Sequence, residues 1–344
     1  MPYSDADLLA LTPEPATLTV TATQNDINGV QGTVSDEATL QPPPLVLVHG
    51  IWDSAATWGN ATASGTFIQF MRQSRYPTSG IFAADYSASN YLTFEDSSTQ
   101  ITLGATIANA LANANGQGIV ARKVDVVAHS MGGLVTLYFI NQGFTPAPLL
   151  PLPANPVHKL VTIGTPEQGT PLALALWNNM GTALPPSVWQ NEPELRQYCN
   201  SANPGGACSL GEVFAAMGRP VTSNVPNIES AVQSLIPGNQ PTGLDSYYAV
   251  VGEANPGSCT ELLLNLSIGD FIPGESDFSY LGPGSDTIVP QNSQSFGAPS
   301  NEVVPISGVV HVSLCGALDA GETVSAGVWN QTLYWLLGGS GVAP

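Results

Sequence analysis

Ser130 sits at the apex of Val124–Gly133, which reads V-D-V-V-A-H-S-M-G-G. Val124 to Val127 are strand-like, Ala128-His129-Ser130-Met131-Gly132 form a tight turn, and Leu134 to Ile140 continue as an apolar helical run. A serine on a strained strand-to-helix turn has its hydroxyl lifted clear of the sheet. This is the setting of the G-x-S-x-G pattern, in which small residues two positions either side let the turn close. Here those residues are Ala128 and Gly132, with alanine in place of the first glycine. The chemistry of such a turn is nucleophilic attack by Ser130, with the amide of Met131 aimed into the cleft. It needs a base to take the hydroxyl proton and an acid to orient that base.

The A-H-S-M-G-G turn resembles that of the α/β-hydrolase family, and within it the secreted bacterial lipases and esterases. Two further stretches carry the resemblance. Leu45–Val48 runs into His49-Gly50-Ile51-Trp52, similar to the H-G-x-x loop after the third strand of these enzymes. Residues 162–173, T-I-G-T-P-E-Q-G-T-P-L-A, are similar to the segment after the sixth strand in many of the lipases. The resemblance implies an oxyanion hole built from the backbone N–H groups of Ile51 and Met131. Each such preorganised donor is worth about 10²–10³ in rate.

Four histidines, His49, His129, His158 and His311, are available as the base. His49 belongs to the H-G loop. His129 adjoins Ser130, and its side chain is expected to point away from the serine. His158 opens a strand, whereas functional residues of open α/β sheets gather at the carboxyl ends of strands. His311, just beyond the last strand, is the one well placed. For the acid, Asp286 lies in Asp286-Thr287-Ile288-Val289-Pro290, similar to the family's D-G-x-V-P, with Thr287 in place of the glycine. Glu253, Asp270 and Asp277 are rivals because the preceding loop is long. With Asp286 the chain order is Ser130, Asp286, His311, as in the hydrolase fold.

Elements must hold these residues. Short apolar strands are expected at Leu45–Val48, Ile81–Tyr86, Val124–Val127, Leu160–Ile163, Tyr247–Gly252 and Val303–Ile306. Strands that are continuous hydrophobic runs suit a parallel sheet buried on both faces. Helices are expected at Thr66–Arg75, at Thr99–Asn115 (capped by Ser97 or Ser98, with Ile101, Ala108, Leu111 and Ala112 on one face), and from about Glu322 to Leu337, burying Trp329, Leu333 and Leu336. The fold class is α/β: an α/β-hydrolase fold with a mostly parallel central sheet flanked by helices and a cap or lid insertion. Residues 1–44 read as an N-terminal extension with a hairpin from Ala16–Thr23 and Gly29–Ser35. Residues 45–166 and 246–344 read as the core, and the proline-rich 167–245 as the cap. Helical pieces are expected in that cap at Leu172–Met180 and Gly211–Met217. Leu172, Leu174, Leu176, Trp177 and Trp189 are candidates either to line an acyl site or to pack the cap onto the core.

The chain has 344 residues, 43% hydrophobic and 10% charged, which excludes a disordered polymer. Its net charge of −19 disfavours nucleic acid and anionic membrane surfaces as partners. Its apolar runs are too short to cross a bilayer. Cys199 and Cys208 flank a Gly/Asn/Pro segment that can close a small disulfide loop, leaving Cys259 to pair with Cys315. An even cysteine count with few lysines fits a secreted protein. Met1-Pro2-Tyr3-Ser4-Asp5 has neither a basic nor an apolar leader region, so the expectation is a mature exported chain.

Together these features predict a serine hydrolase that cleaves carboxylic esters through an acyl-enzyme: a lipase or lipase-like esterase acting on small-molecule or lipid esters. No cofactor or metal is called for. A cutinase-like polyester hydrolase or polyhydroxyalkanoate depolymerase is the alternative. An acyltransferase, or a binding module on a hydrolase scaffold, follows behind.

Overall fold

A computed structural model describes residues 16–25, 29, 31–60, 62–74, 76, 80–142, 155–179, 181, 183, 208–209, 211–212, 246–255, 284–313 and 320–343. Six strands form one parallel sheet. They are β3 (Leu45–Val48), β4 (Ile81–Ala84), β5 (Val124–His129), β6 (Val157–Ile163), β7 (Tyr247–Glu253) and β8 (Val303–Ser307), in the order β4-β3-β5-β6-β7-β8. Parallel neighbours need crossovers, and helices supply them: α1 (Phe67–Ser74), α2 (Ser97–Gly116) and α3 (Met131–Gln142). A helix α4 (Pro171–Asn179) follows β6, a single turn α5 (Gln291–Gln294) precedes β8, and α6 (Ala326–Leu336) closes the chain.

The middle of the sheet is covered on both faces, which explains its largely apolar strands. All four residues of β3 are buried, and their side chains alternate between two cores. Val46 and Val48 pack with Leu103 and Ile107 of α2 and with Leu134 and Leu137 of α3. Leu45 and Leu47 pack on the other side with Phe67 and Met71 of α1 and with Trp329 and Trp335 of α6. The buried Lys159 fits this arrangement because its Nζ donates to the carbonyls of Trp335 and Leu336, at 3.1 and 3.2 Å, where the last turn of α6 leaves acceptors unsatisfied.

Outside this sheet, β1 (Ala16–Asn25) and β2 (Gln31–Leu40) make the expected antiparallel hairpin. Two short strands, β9 (Val309–Val310) and β10 (Ala320–Gly321), pair in parallel beyond the end of β8.

Three local expectations need correction. Asp96, not Ser97 or Ser98, caps α2: its Oδ1 accepts from Ser98 N at 2.8 Å and Thr99 N at 3.4 Å. Ile101 and Ala112 of α2 face solvent, and the buried stripe runs instead through Leu103, Ile107, Ala110, Leu111 and Ala114. The closing segment begins with a separate 3₁₀ turn at Glu322–Val324, so α6 proper starts at Ala326. The expected helix at Gly211–Met217 lies mostly outside the described residues, as do Trp189, Asp270 and Asp277.

Candidate active site

Ser130 is the residue between β5 and α3, and its backbone sits at φ +54°, in the left-handed region that non-glycine residues seldom enter. Its amide is fixed to the carbonyl of Ile163 at 2.9 Å. The two following glycines let the turn close. A Cβ on Gly132 would lie 2.5 Å from the His49 carbonyl oxygen, and one on Gly133 would collide with the Thr165 side chain. Gly50 is equally confined, because a Cβ there would lie 2.8 Å from Ser130 Cβ. The His49-Gly50 loop is thereby pressed against the serine.

Asp286 and His311 are tied together before either meets Ser130. The His311 N–H donates to the Asp286 carbonyl at 2.7 Å. Asp286 Oδ1 accepts from the amides of Ile288 (2.9 Å) and Val289 (2.6 Å), which orients the carboxylate. Its Oδ2 then takes the Nδ1–H of His311 at 2.8 Å, and His311 Nε2 lies 2.8 Å from Ser130 Oγ. With Nδ1 turned to the carboxylate, Nε2 is the nitrogen that faces the serine hydroxyl. All three side chains are buried. Thr287, where the family pattern has glycine, takes φ +85°. The glycine it replaces would adopt this conformation without strain.

A second carboxylate, absent from the sequence reading, joins them. Glu322 is fully buried, with Oε2 3.1 Å from His129 Nε2 and 3.3 Å from His311 Nδ1. This corrects the expectation for His129. Its ring lies 4.7 Å from that of His311, centre to centre, instead of pointing away from the site. Burial alone would lower the pKa of His311, but the carboxylates of Asp286 and Glu322 outweigh it and hold the imidazole above its ordinary value. Burial pushes Asp286 up, against the opposing pull of His311. Burial would also raise Glu322, but hydrogen bonds from His129 and His311 prevail and keep it below the usual carboxylate range.

The other candidates lie elsewhere. His49 is buried, and that burial lowers its pKa; it stacks on Tyr86 at 4.0 Å, and its Nε2 accepts from the Tyr86 amide. His158 sits at the opposite end of the sheet, with Nδ1 2.9 Å from Asp125 Oδ1. Glu253 is engaged by Gln291 and Ser307 at 3.2 and 3.0 Å, away from His311. Of the four cysteines only Cys208 is described, and it is buried; Cys199, Cys259 and Cys315 lie outside the described residues, and with them both expected pairings.

A cavity of about 400 Å³ opens over Ser130 and His311. Ile51 lines it, as do Leu172, Ala173 and Leu176 of α4 and Ile288, Val312 and Val324. Of the residues proposed for an acyl site, Leu172 and Leu176 are thus in place, whereas Leu174 is half exposed to solvent. Among the described residues no helix is long and apolar enough to cross a membrane.

Comparison with known structures gives remote likenesses. The mature lipase of Bacillus licheniformis is 16% identical over 94% of this chain and 99% of its own, with a TM-score of 0.44. A Legionella pneumophila phospholipase is 12% identical over 85% of this chain and 58% of its own, with a TM-score of 0.45. A Rhodococcus esterase is 14% identical over 93% and 94%, with a TM-score of 0.38. No curated protein sequence matches the chain. Residues 45–312, well over half the chain, match the family described as alpha/beta hydrolase: the chain belongs to the alpha/beta hydrolase family.

Proposed function

We propose that the protein hydrolyses carboxylic esters through an acyl-enzyme formed on Ser130. The supporting observation is the relay from Asp286 Oδ2 through His311 to Ser130 Oγ, two contacts of 2.8 Å, at the floor of a cavity with apolar walls. As Oγ attacks the ester carbonyl carbon, its proton passes to His311 Nε2. The carbonyl oxygen becomes an oxyanion facing the amides of Ile51 and Met131. When the tetrahedral intermediate collapses, His311 returns the proton to the leaving alcohol. A water molecule, deprotonated by the same nitrogen, then releases the acid. Positioned base catalysis of this kind contributes about 10²–10⁴-fold, and no metal or cofactor takes part in these steps.

The cavity supports a substrate class. Leu172, Leu176, Ile288, Val312 and Val324 suit an acyl chain, which favours a lipase or lipase-like esterase acting on lipid or small-molecule esters. Residues 167–245 are proposed as the cap over it, with α4 as its first element. The two cysteine pairings and a secreted location belong to the same proposal. Hydrolysis of p-nitrophenyl esters from acetate to palmitate, by the wild type and Ser130→Ala, tests it. Loss of all turnover in the variant, with a wild-type optimum at long chains, is the expected result. An optimum at acetate would move the substrate to short esters or polyesters. Wild-type rates in Ser130→Ala would overturn the assignment.

A further inference from the structure

We infer that Glu322 is a second positioning carboxylate for His311, sharing with Asp286 the task of orienting its ring. The inference rests on the roles proposed for Ser130 and His311. Three independent features of the fold support it.

The first is register. Strands β9 and β10 pair in parallel, with Val309 opposite Ala320 and Val310 opposite Gly321. The next residues along the two strands are His311 and Glu322, so the pairing itself delivers the carboxylate to the imidazole. The second is space. Gly164 follows β6 and Gly252 lies within β7, at the carboxyl ends of two neighbouring strands. A Cβ on Gly164 would collide with Glu322 Oε2, and one on Gly252 with Oε1. Two strand ends are thus kept bare where this carboxylate lies. The third is hydrogen bonding. Oε2 faces His311 Nδ1 at 3.3 Å and His129 Nε2 at 3.1 Å, while Oε1 is buried with no hydrogen-bond partner. A buried carboxylate is costly unless its charge is matched. The groups that match it are the two imidazoles.

The ionisable groups facing Glu322 are therefore His129 from the end of β5, His311 after β9, and Asp286 from the loop between β7 and β8. His311 Nδ1 carries one N–H and has two carboxylate oxygens before it. The shorter contact, 2.8 Å, goes to Asp286. Glu322 takes the other side, while its bond to His129 keeps it from displacing Asp286. This arrangement pins the tautomer in which Nε2 is free to accept the serine proton, and it holds that tautomer even when one carboxylate is neutralised.

The test compares kcat/KM against pH for the wild type, Glu322→Gln, Asp286→Asn and the double variant, with Ser130→Ala as the control. The negative charge of Glu322 favours the imidazolium, so it raises the pKa of His311. The acidic limb of kcat/KM reports that pKa in the free enzyme. Removing the charge must move the limb to lower pH, by about one unit for a charge at this distance, together with a drop of several fold on the plateau. A purely structural Glu322 would lower the plateau and leave the limb in place, and that outcome would overturn the proposal. If Glu322→Gln does not fold, Asp286→Asn decides. With Glu322 still holding the ring it loses about 10–100-fold, whereas an unsupported histidine loses about 10⁴-fold. A loss of that larger size in Asp286→Asn alone would overturn the proposal too. If Ser130→Ala remains active, the proposed function fails and Glu322's role with it; if Ser130→Ala is inactive and the limb does not move, only Glu322's role fails.

Discussion

Two histidine–aspartate pairs stand at opposite ends of the same sheet. At the carboxyl ends of the strands, His311 Nδ1 meets Asp286 at 2.8 Å; at the amino ends, His158 Nδ1 meets Asp125 at 2.9 Å. Both carboxylates are fully buried. The pairing alone therefore does not distinguish a reactive site from a structural one. The difference lies in the third partner. Ser130 presents its hydroxyl to the other nitrogen of His311, where both line the cavity. In the other cluster the hydroxyl belongs to Tyr76, and it donates to the carboxylate, Asp125 Oδ2, at 2.9 Å. Burial, reinforced by Asp125, raises the Tyr76 pKa well above its ordinary value, so this phenol keeps its proton. His158 is also the extra residue of an irregularity in the β5–β6 pairing, since Val124 opposes Val157 while Asp125 opposes Lys159. A bulge re-aims the side chain it carries, and here the ring ends up against Asp125.

The largest effect that can break the comparison is on catalysis. Ser130→Ala is expected to lower ester hydrolysis by about 10⁶-fold, as loss of a nucleophile that acts as one unit with its base does. Its urea denaturation midpoint should stay near that of the wild type. His158→Ala should do the reverse. It should keep kcat within about twofold, and lose about 1–3 kcal/mol of stability because the buried Asp125 is left short of a partner. A His158→Ala protein with wild-type stability and depressed kcat would erase the distinction between the two clusters. Tyr76→Phe is of the same order: it removes one hydrogen bond to a charged group, for about 1.5–3 kcal/mol, and turnover should not change. Equilibrium unfolding and ester turnover measured on the same samples separate these outcomes.

The two clusters also differ in how far they could be read from the sequence. Ser130 is marked by small neighbours on a strand-to-helix turn, His311 by a strand end, and Asp286 by chain order and its resemblance to the family's D-G-x-V-P. These are local patterns, and the structure brings those three side chains together. Glu322 carries no such mark. Its place depends on two residues of β10 pairing with two of β9, too short a match to leave a hydrophobic period. The orientation of His129 is illegible for the same reason, since it is set by Glu322. On α2, rich in alanine, counting large apolar residues put Ile101 inside, whereas the buried stripe is set by Leu103, Ile107 and Leu111. The inner strands are legible because burial on both faces leaves them little polar alternation to blur.

Backbone strain separates the clusters as well, and gives the smallest prediction. Ser130 and Thr287 are both in the left-handed region, whereas neither Asp125 nor His158 is. Such a conformation in a β-branched residue is an outlier that costs about 1–3 kcal/mol. Thr287 carries a further cost: its hydroxyl is buried without a hydrogen-bond partner. Thr287→Gly should relieve both. Against this stand the lost methyl packing and the greater freedom of glycine in the unfolded chain, about 0.4–1 kcal/mol. The balance is a gain of roughly 1 kcal/mol, visible as a higher melting temperature. Activity should fall slightly, no more than a few fold, because the Asp286 carboxylate would be held by a looser turn. A lower melting temperature would mean that the surrounding loop, and not the φ of Thr287, sets the energy of this turn. The strain would then no longer distinguish the reactive cluster from the structural one.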